Sequence, residues 1–317
     1  KTFPSRDEGA FSKITCVALI DDFLYYGTEA GTVEIFYLNE WTLLSGCELR
    51  LNNGIKKIFP NHNGARVIVV DSTNQILLFN PIAANSSATQ GIVRIEHSLT
   101  NIVNVFWDLT EKNIVMLYDG RALHTYVYAS VSMKGEYLSM LGPVAVSEDG
   151  EITLTAEKSE LPTGNVPLMS NSGNITCQVT ASGEINSIVH PYFQDIAPTG
   201  HSTSMDERVP KNRRGGFPTP RELVSRFCQS LALLKVEDAW QTALELDKRH
   251  YWLALSNRAM ELLNIDVALR VYRQLGDAGM VMALQQSLHT EDRHALAGNV
   301  ALLFGDYARA QELFLIS

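Results

Sequence analysis

The chain has 317 residues, 45% of them hydrophobic and 19% charged, a globular composition that excludes a wholly disordered chain, a collagen and a coiled-coil rod. At about 150 residues per domain this length predicts two domains, and no apolar run approaches the roughly 18 residues of a membrane-spanning helix. The net charge of −9 divides unevenly, −9 over residues 1–200, +2 over 201–217 and −2 over 218–317, and an acidic body lacks the basic footprint that nucleic acid or an anionic membrane surface requires.

Residues 1–190 read as strands. Ile14–Ile20 is apolar and β-branched, Asp21-Asp22 turns the chain into Phe23–Gly27, and the glycine-bounded Gly27-Thr28-Glu29-Ala30-Gly31 leads into the alternating Thr32–Tyr37. Short strands separated by turn signals predict a sandwich, barrel or propeller. The same order recurs as Ile55–Phe59, Arg66–Val70 and Ile76–Phe79, and again as Ile102–Trp107, Asn113–Leu117 and Ala122–Tyr128. Phe36, Phe79 and Tyr126 fall on one repeat position, and periods of about 40 to 50 residues are those of propeller blades. A less regular fourth unit takes Val144–Ser147, Glu151–Thr155, Ile175–Val179 and Glu184–Val189, with Leu161–Gly173 as a loop inside it. About four blade-like units are fewer than most rings need, so a propeller with earlier blades upstream of Lys1 is expected; an ordinary β-sandwich is the alternative.

Residues 191–218 hold four prolines and three glycines with little that is apolar, the composition of a mobile linker. Its basic cluster, Arg208–Arg214, reads as a solvated loop. Residues 219–317 read as helices. Thr219-Pro220-Arg221-Glu222 is a helix start with cap, N1 proline and capping box, and Leu223, Phe227, Leu231 and Leu234 form one apolar stripe. Three segments share a pattern around a small residue, at Ala239, Ala268 and Ala310. Tyr272 and Phe314 follow the second and third by four residues. Ala259 and Ala301 precede them by nine, Ser256 and Gly298 by twelve, Trp252 and His294 by sixteen. Those offsets are of the tetratricopeptide (TPR) type, in which small residues let paired helices approach and an aromatic fills the seam. Trp252, Ala259, Ala268, Tyr272, Gly298, Ala301, Tyr307, Ala310 and Phe314 are therefore the predicted repeat-packing residues, with Gly276–Leu288 an extra helix. More repeats are expected after Ser317.

Catalytic and metal signals are thin. There is no GxGxxG, GxxxxGK[ST], HExxH or GxSxG, and no catalytic residue, cofactor or metal is predicted. His289, Glu291, Asp292 and His294 straddle a helix start, where the two histidines would not share a face. Trp107-Asp108 looks like the WD dipeptide of propellers but is placed before a strand and carries little weight. Cys16, Cys47, Cys177 and Cys228 form no CxxC pair and read as reduced thiols. The aromatics Trp240, Tyr251, Trp252, Tyr272, Tyr307 and Phe314 could line a peptide groove, but repeat offsets favour packing between helices.

The run Asp266–Leu284, Leu296-Ala297-Gly298 and Gly305–Ser317 resembles the start of the helical region of the intraflagellar transport A complex subunit family of WD repeat-containing protein nineteen. Ile58-Phe59-Pro60-Asn61, Tyr118-Asp119 before Tyr126-Val127-Tyr128, and Ile175-Thr176-Cys177-Gln178 are similar to the closing half of that family's second propeller; the connector departs from it in being longer and richer in Pro and Gly. The resemblance implies an all-β part followed by an all-α part: a partial WD-repeat β-propeller over 1–190, a linker over 191–218, and the first TPR-like α-solenoid hairpins over 219–317. It also implies a non-enzymatic scaffold of the retrograde ciliary train at the cilium, ciliary base and cytoplasm. Its partners would be the other intraflagellar transport A subunits and, indirectly, ciliary membrane cargo and the retrograde motor. A vesicle-coat or sister-complex scaffold of the same architecture is the alternative, and an enzyme site at a propeller centre is disfavoured by apolar strand starts (Ile14, Ile55, Ile102).

Overall fold

The β-branched and aromatic runs of the first half form strands, each closed by a turn. A computed structural model describes residues 12–82, 91–95, 99, 102–194 and 218–317; the basic cluster at 208–214 and nearly all of the expected linker lie outside these residues. Five strands make the first blade: β1 (Ile14–Ile20), β2 (Phe23–Thr28), β3 (Thr32–Tyr37), β4 (Thr42–Leu43) and β5 (Leu49–Arg50), in the order β1-β2-β3-β4 with β5 also on β3. The second is β6 (Ile55–Pro60), β7 (Val67–Asp71), β8 (Ile76–Phe79) and β9 (Ile92–Arg94), paired in sequence. The third is β10 (Asn104–Trp107), β11 (Ile114–Tyr118), β12 (Ala122–Ala129) and β13 (Tyr137–Met140). The pairings β1–β2, β2–β3, β3–β4, β3–β5, β6–β7, β7–β8, β8–β9, β10–β11 and β12–β13 are antiparallel. These are the three recurring units expected from the sequence, and the region is a partial propeller.

The fourth unit differs from expectation. β14 (Val144–Val146) and β15 (Ile152–Leu154) form a two-stranded sheet of their own, and β16 (Ser159–Glu160) joins β12. The fourth blade is β17 (Asn165–Asn171), β18 (Asn174–Val179) and β19 (Ile185–Val189). The stretch Leu161–Gly173 is thus corrected from loop to strand over much of its length. Pro162 and Pro167 suggested a break, but Pro162 precedes β17, and β17 is the edge of its sheet, the position at which a strand tolerates a proline.

Register fixes which side chains meet. On one face of the first blade, Ala18 pairs with Tyr25 and Tyr25 with Ile35, while Cys16, Gly27, Val33 and Leu49 form the next row. Tyr25, Val33, Ile35 and Leu49 join Ile58, Val69 and Phe79 of the second blade in one buried cluster. Polar struts cross between blades: Tyr25 Oη donates to Gly64 O at 2.9 Å, Lys57 Nζ to Val103 O at 2.9 Å and Arg66 to Asn113 Oδ1 at 2.7 Å.

After a 3-10 turn at Pro191–Phe193, seven helices follow among the described residues: α1 (Pro220–Ala232), α2 (Val236–Leu246), α3 (Arg249–Glu261), α4 (Ile265–Leu275), α5 (Ala278–Ser287), α6 (Arg293–Leu303) and α7 (Tyr307–Leu315). The capping box forms as the sequence predicts, with Glu222 N donating to Thr219 Oγ1 and Thr219 N to the Glu222 carboxylate at 2.8 Å. Helices α1/α2, α3/α4 and α6/α7 pack as hairpins, with α5 against α4. No helix among the described residues is long and apolar enough to cross a membrane.

The chain divides into two units. One takes Lys1–His124, Glu160–Asn171 and Thr176–Asn186; the other takes Thr125–Ser159, Ser172–Ile175 and Ser187–Ser317. The hairpin β14–β15 therefore belongs with the helices.

Candidate interaction scaffold

Each of the first three blades is pinned at the turn leaving its second strand. In the first blade Thr28 holds that place, its hydroxyl accepting from Thr32 N at 3.2 Å. In the second it is Asp71, buried, whose Oδ1 accepts from Thr73 N, Thr73 Oγ1 and Gln75 N and whose Oδ2 accepts from Asn53 Nδ2 at 2.9 Å. In the third it is Asp119, with Oδ1 accepting from Arg121 N and Ala122 N and Oδ2 lying 3.0 Å from His124 Nε2. Burial alone would raise both carboxyls; the hydrogen bonds outweigh it, lowering Asp71 and bringing Asp119 down to about 2.

That depression predicts an acid dependence. The folded carboxyl of Asp119 titrates below its unfolded value of 3.8, so its stabilisation is full above about pH 5 and is lost as pH falls through 3.8 toward about 2. The side chain is 23% exposed, and the shift corresponds to about 2 kcal/mol. Asp119→Asn is expected to flatten the pH dependence of the urea midpoint between pH 5 and 2 relative to the parent; an unchanged slope would refute the assignment.

The WD dipeptide needs correction. Trp107 is the last residue of β10, so the pair ends a strand. Trp107 Nε1 donates to Phe59 O at 3.2 Å. Asp108, fully buried, accepts from Thr110 N and Glu111 N and receives the Ser170 hydroxyl at 2.6 Å, tying the third blade to β17.

The three helical hairpins share one construction. Leu234, Leu263 and Gly305 take left-handed backbone at φ 59°, 54° and 76°, each five residues before the repeat alanine. Lys235 N then donates to Ser230 O, Asn264 N to Ala259 O and Asp306 N to Ala301 O, the six-to-one bond of a Schellman turn. Ser230, Ala259 and Ala301 are buried on the first helices, and Ala239, Ala268 and Ala310 on the second. The common signal is a triplet, Leu-Leu-Lys, Leu-Leu-Asn and Phe-Gly-Asp; sequence reading missed it because left-handed leucine is unusual.

The remaining predicted packing residues are unequal. Trp252 and Tyr272 are buried in the helical core, where Trp252 meets Trp240 edge-on at 5.0 Å. A Cβ on Gly298 would lie 2.8 Å from the Phe314 ring, so the two helices approach closely there. Phe314 itself is partly exposed, and Tyr307 is 72% exposed, in no seam among the described residues. Asp292 Oδ1 caps α6 by accepting from Ala295 N, with His294 Nδ1 at 4.0 Å.

Apolar side chains also face outward. Leu19, Leu24, Phe36 and Leu43 form a cross-strand row on the first blade's second face. Leu19 and Val17 are 60% and 58% exposed, with Trp41 packed edge-on against Phe36.

Comparison with known proteins agrees with this architecture. Residues 1–191 match the family model of the WDR19 second β-propeller. The whole chain is 29% identical over 320 residues to WD repeat-containing protein 19 of Homo sapiens. It is 20% identical over 317 residues to WD repeat-containing protein dyf-2 of Caenorhabditis elegans. The chain spans about a fifth of the length of these relatives, 21% and 20% respectively. The propeller domain of Cps50 (Swd1) from Myceliophteria thermophila is a looser likeness, at 15% identity and TM-score 0.32 over 56% of this chain and 53% of that one. The blade sequences, the helical run and the match over the first 191 residues together place this chain in the WDR19 family.

Proposed function

We propose that the chain is a non-enzymatic scaffold segment of the intraflagellar transport A complex, supporting retrograde ciliary transport and entry of membrane receptors into the cilium. The observation that carries this reading is the WDR19-family match over residues 1–191 together with similarity to WD repeat-containing protein 19 along the whole chain. In this reading residues 1–190 are the closing part of a propeller, 191–218 join it to the helices, and 219–317 are the first solenoid repeats. Trp252, Ala259, Ala268, Tyr272, Gly298, Ala301, Ala310 and Phe314 set the spacing of those repeats. Blade rims and helix faces are stiff, extended surfaces suited to protein contacts. The partners are the other subunits of the complex, with cargo and the retrograde motor reached through them, at the cilium, the ciliary base and in the cytoplasm.

Affinity capture with the tagged chain from a ciliary lysate tests this. Recovery of the sister propeller-plus-solenoid subunits is expected. Recovery of vesicle-coat subunits in their place, or co-fractionation with Golgi membranes rather than axonemes, would transfer the chain to the alternative class.

A further inference from the structure

The composition of residues 191–218 predicts a mobile linker between the β part and the helices. Contacts inside the second unit point elsewhere. Beyond β12, the turn at Ser132–Gly135 brings Met133 N to Glu261 O, the carbonyl at the end of α3, at 2.9 Å. Tyr137, on β13, faces Arg258 and Glu261, which pair with each other at 3.0 Å. The side chain of Arg258 is only 12% exposed, so its charge is desolvated and held by these neighbours.

The turn between β14 and β15 meets the same helix. Ser147 N donates to Glu151 O and Gly150 N to Ser147 O, which closes the turn with Gly150 at φ 78°. A Cβ there would stand 2.4 Å from Leu253 Cβ and 3.0 Å from Ala254 N. The turn thus lies directly on the α3 backbone, at a distance only glycine permits. Asn257 Nδ2 adds a long bond to Gly150 O at 3.4 Å. Val146, Ile152 and Met133 pack on the helical core, and β14 touches α1 as well as α3. A helical array must cover the apolar side of its first helices, and here a β-hairpin does so.

We infer that the β14–β15 hairpin and the Ser132–Gly135 turn are the cap of the helical array, docked on α1 and α3. This contact, made inside one compact unit, holds the helices to the hairpin and the turn independently of the joining segment. The interface combines an apolar pad with a polar clamp, as stable interfaces within a chain do.

A specific protease site inserted between Thr203 and Ser204 of the full chain tests the inference. After cleavage the two pieces are expected to co-elute in size exclusion at about 1 μM, where contacts weaker than that concentration come apart. The same cleavage in Gly150→Val is expected to give two separate peaks, because the added side chain drives the turn off α3. Gly279→Ala, in α5 away from the cap, where a Cβ meets only an ordinary contact at 3.5 Å, is expected to leave the pieces together. Ile152→Asp provides a second disruption that leaves the turn backbone alone, so a folding failure of the glycine variant does not decide the matter. Separation of the cleaved parent would overturn the inference, and so would continued co-elution of both disrupting variants.

Discussion

Trp252→Ala is expected to destabilise the helical part by about 3–5 kcal/mol, whereas Tyr307→Ala stays within about 0.5 kcal/mol. Both residues were predicted from repeat offsets to pack between helices. Trp252 is 3% exposed and lies among Phe227, Tyr251, Leu255 and Tyr272 in one cluster. Truncating it removes a large apolar surface and leaves a cavity that rigid paired helices close only in part. Tyr307 is the first residue of α7 and faces water. Urea unfolding followed by the helical far-ultraviolet signal separates the two. Equal losses would mean that the offsets, rather than burial, decide which residues pack.

The second large effect is expected in the second blade. Asp71→Ala should cost about 3 kcal/mol, because it strips the acceptor from two backbone N–H groups, a hydroxyl and the Asn53 amide at a buried site. Asp71→Asn keeps one carbonyl acceptor and should recover part of the loss. Tryptophan fluorescence during urea unfolding reports the change through Trp107 of the third blade, which donates to Phe59 O of the second. An alanine variant as stable as the parent would show that the turn holds without its carboxylate. Thr28→Ala at the equivalent place should cost less, since it removes a neutral hydroxyl bond rather than a charged one.

These two cases also show what was legible in the residues. The blade period was readable from Phe36, Phe79 and Tyr126 because buried aromatics recur wherever a strand packs against its neighbour; all three are buried. The hairpin alanines were readable for the same reason, since close helix approach tolerates only small side chains. What escaped was set by tertiary context. Pro167 argued against a strand, yet sits on a sheet edge. Val144–Ser147 and Glu151–Thr155 looked like blade strands because alternation marks a strand but not the sheet it joins; the hairpin packs on α1 and α3 instead. Leu234 and Leu263 carry no turn signature, and only their shared offset from Ala239 and Ala268 reveals that both end a helix in left-handed backbone. Partner identity was not legible in any packing pattern; it entered through family resemblance.

The proposed binding of this chain to sister subunits of an intraflagellar transport A complex is tested most directly by titrating the purified chain into purified sister subunits, followed by light scattering and by sedimentation. Saturable, stoichiometric complex formation is predicted, weakened by Trp252→Ala in proportion to the helical structure it loses. Sister subunits that assemble with one another while the chain stays free at every concentration reached would contradict the account.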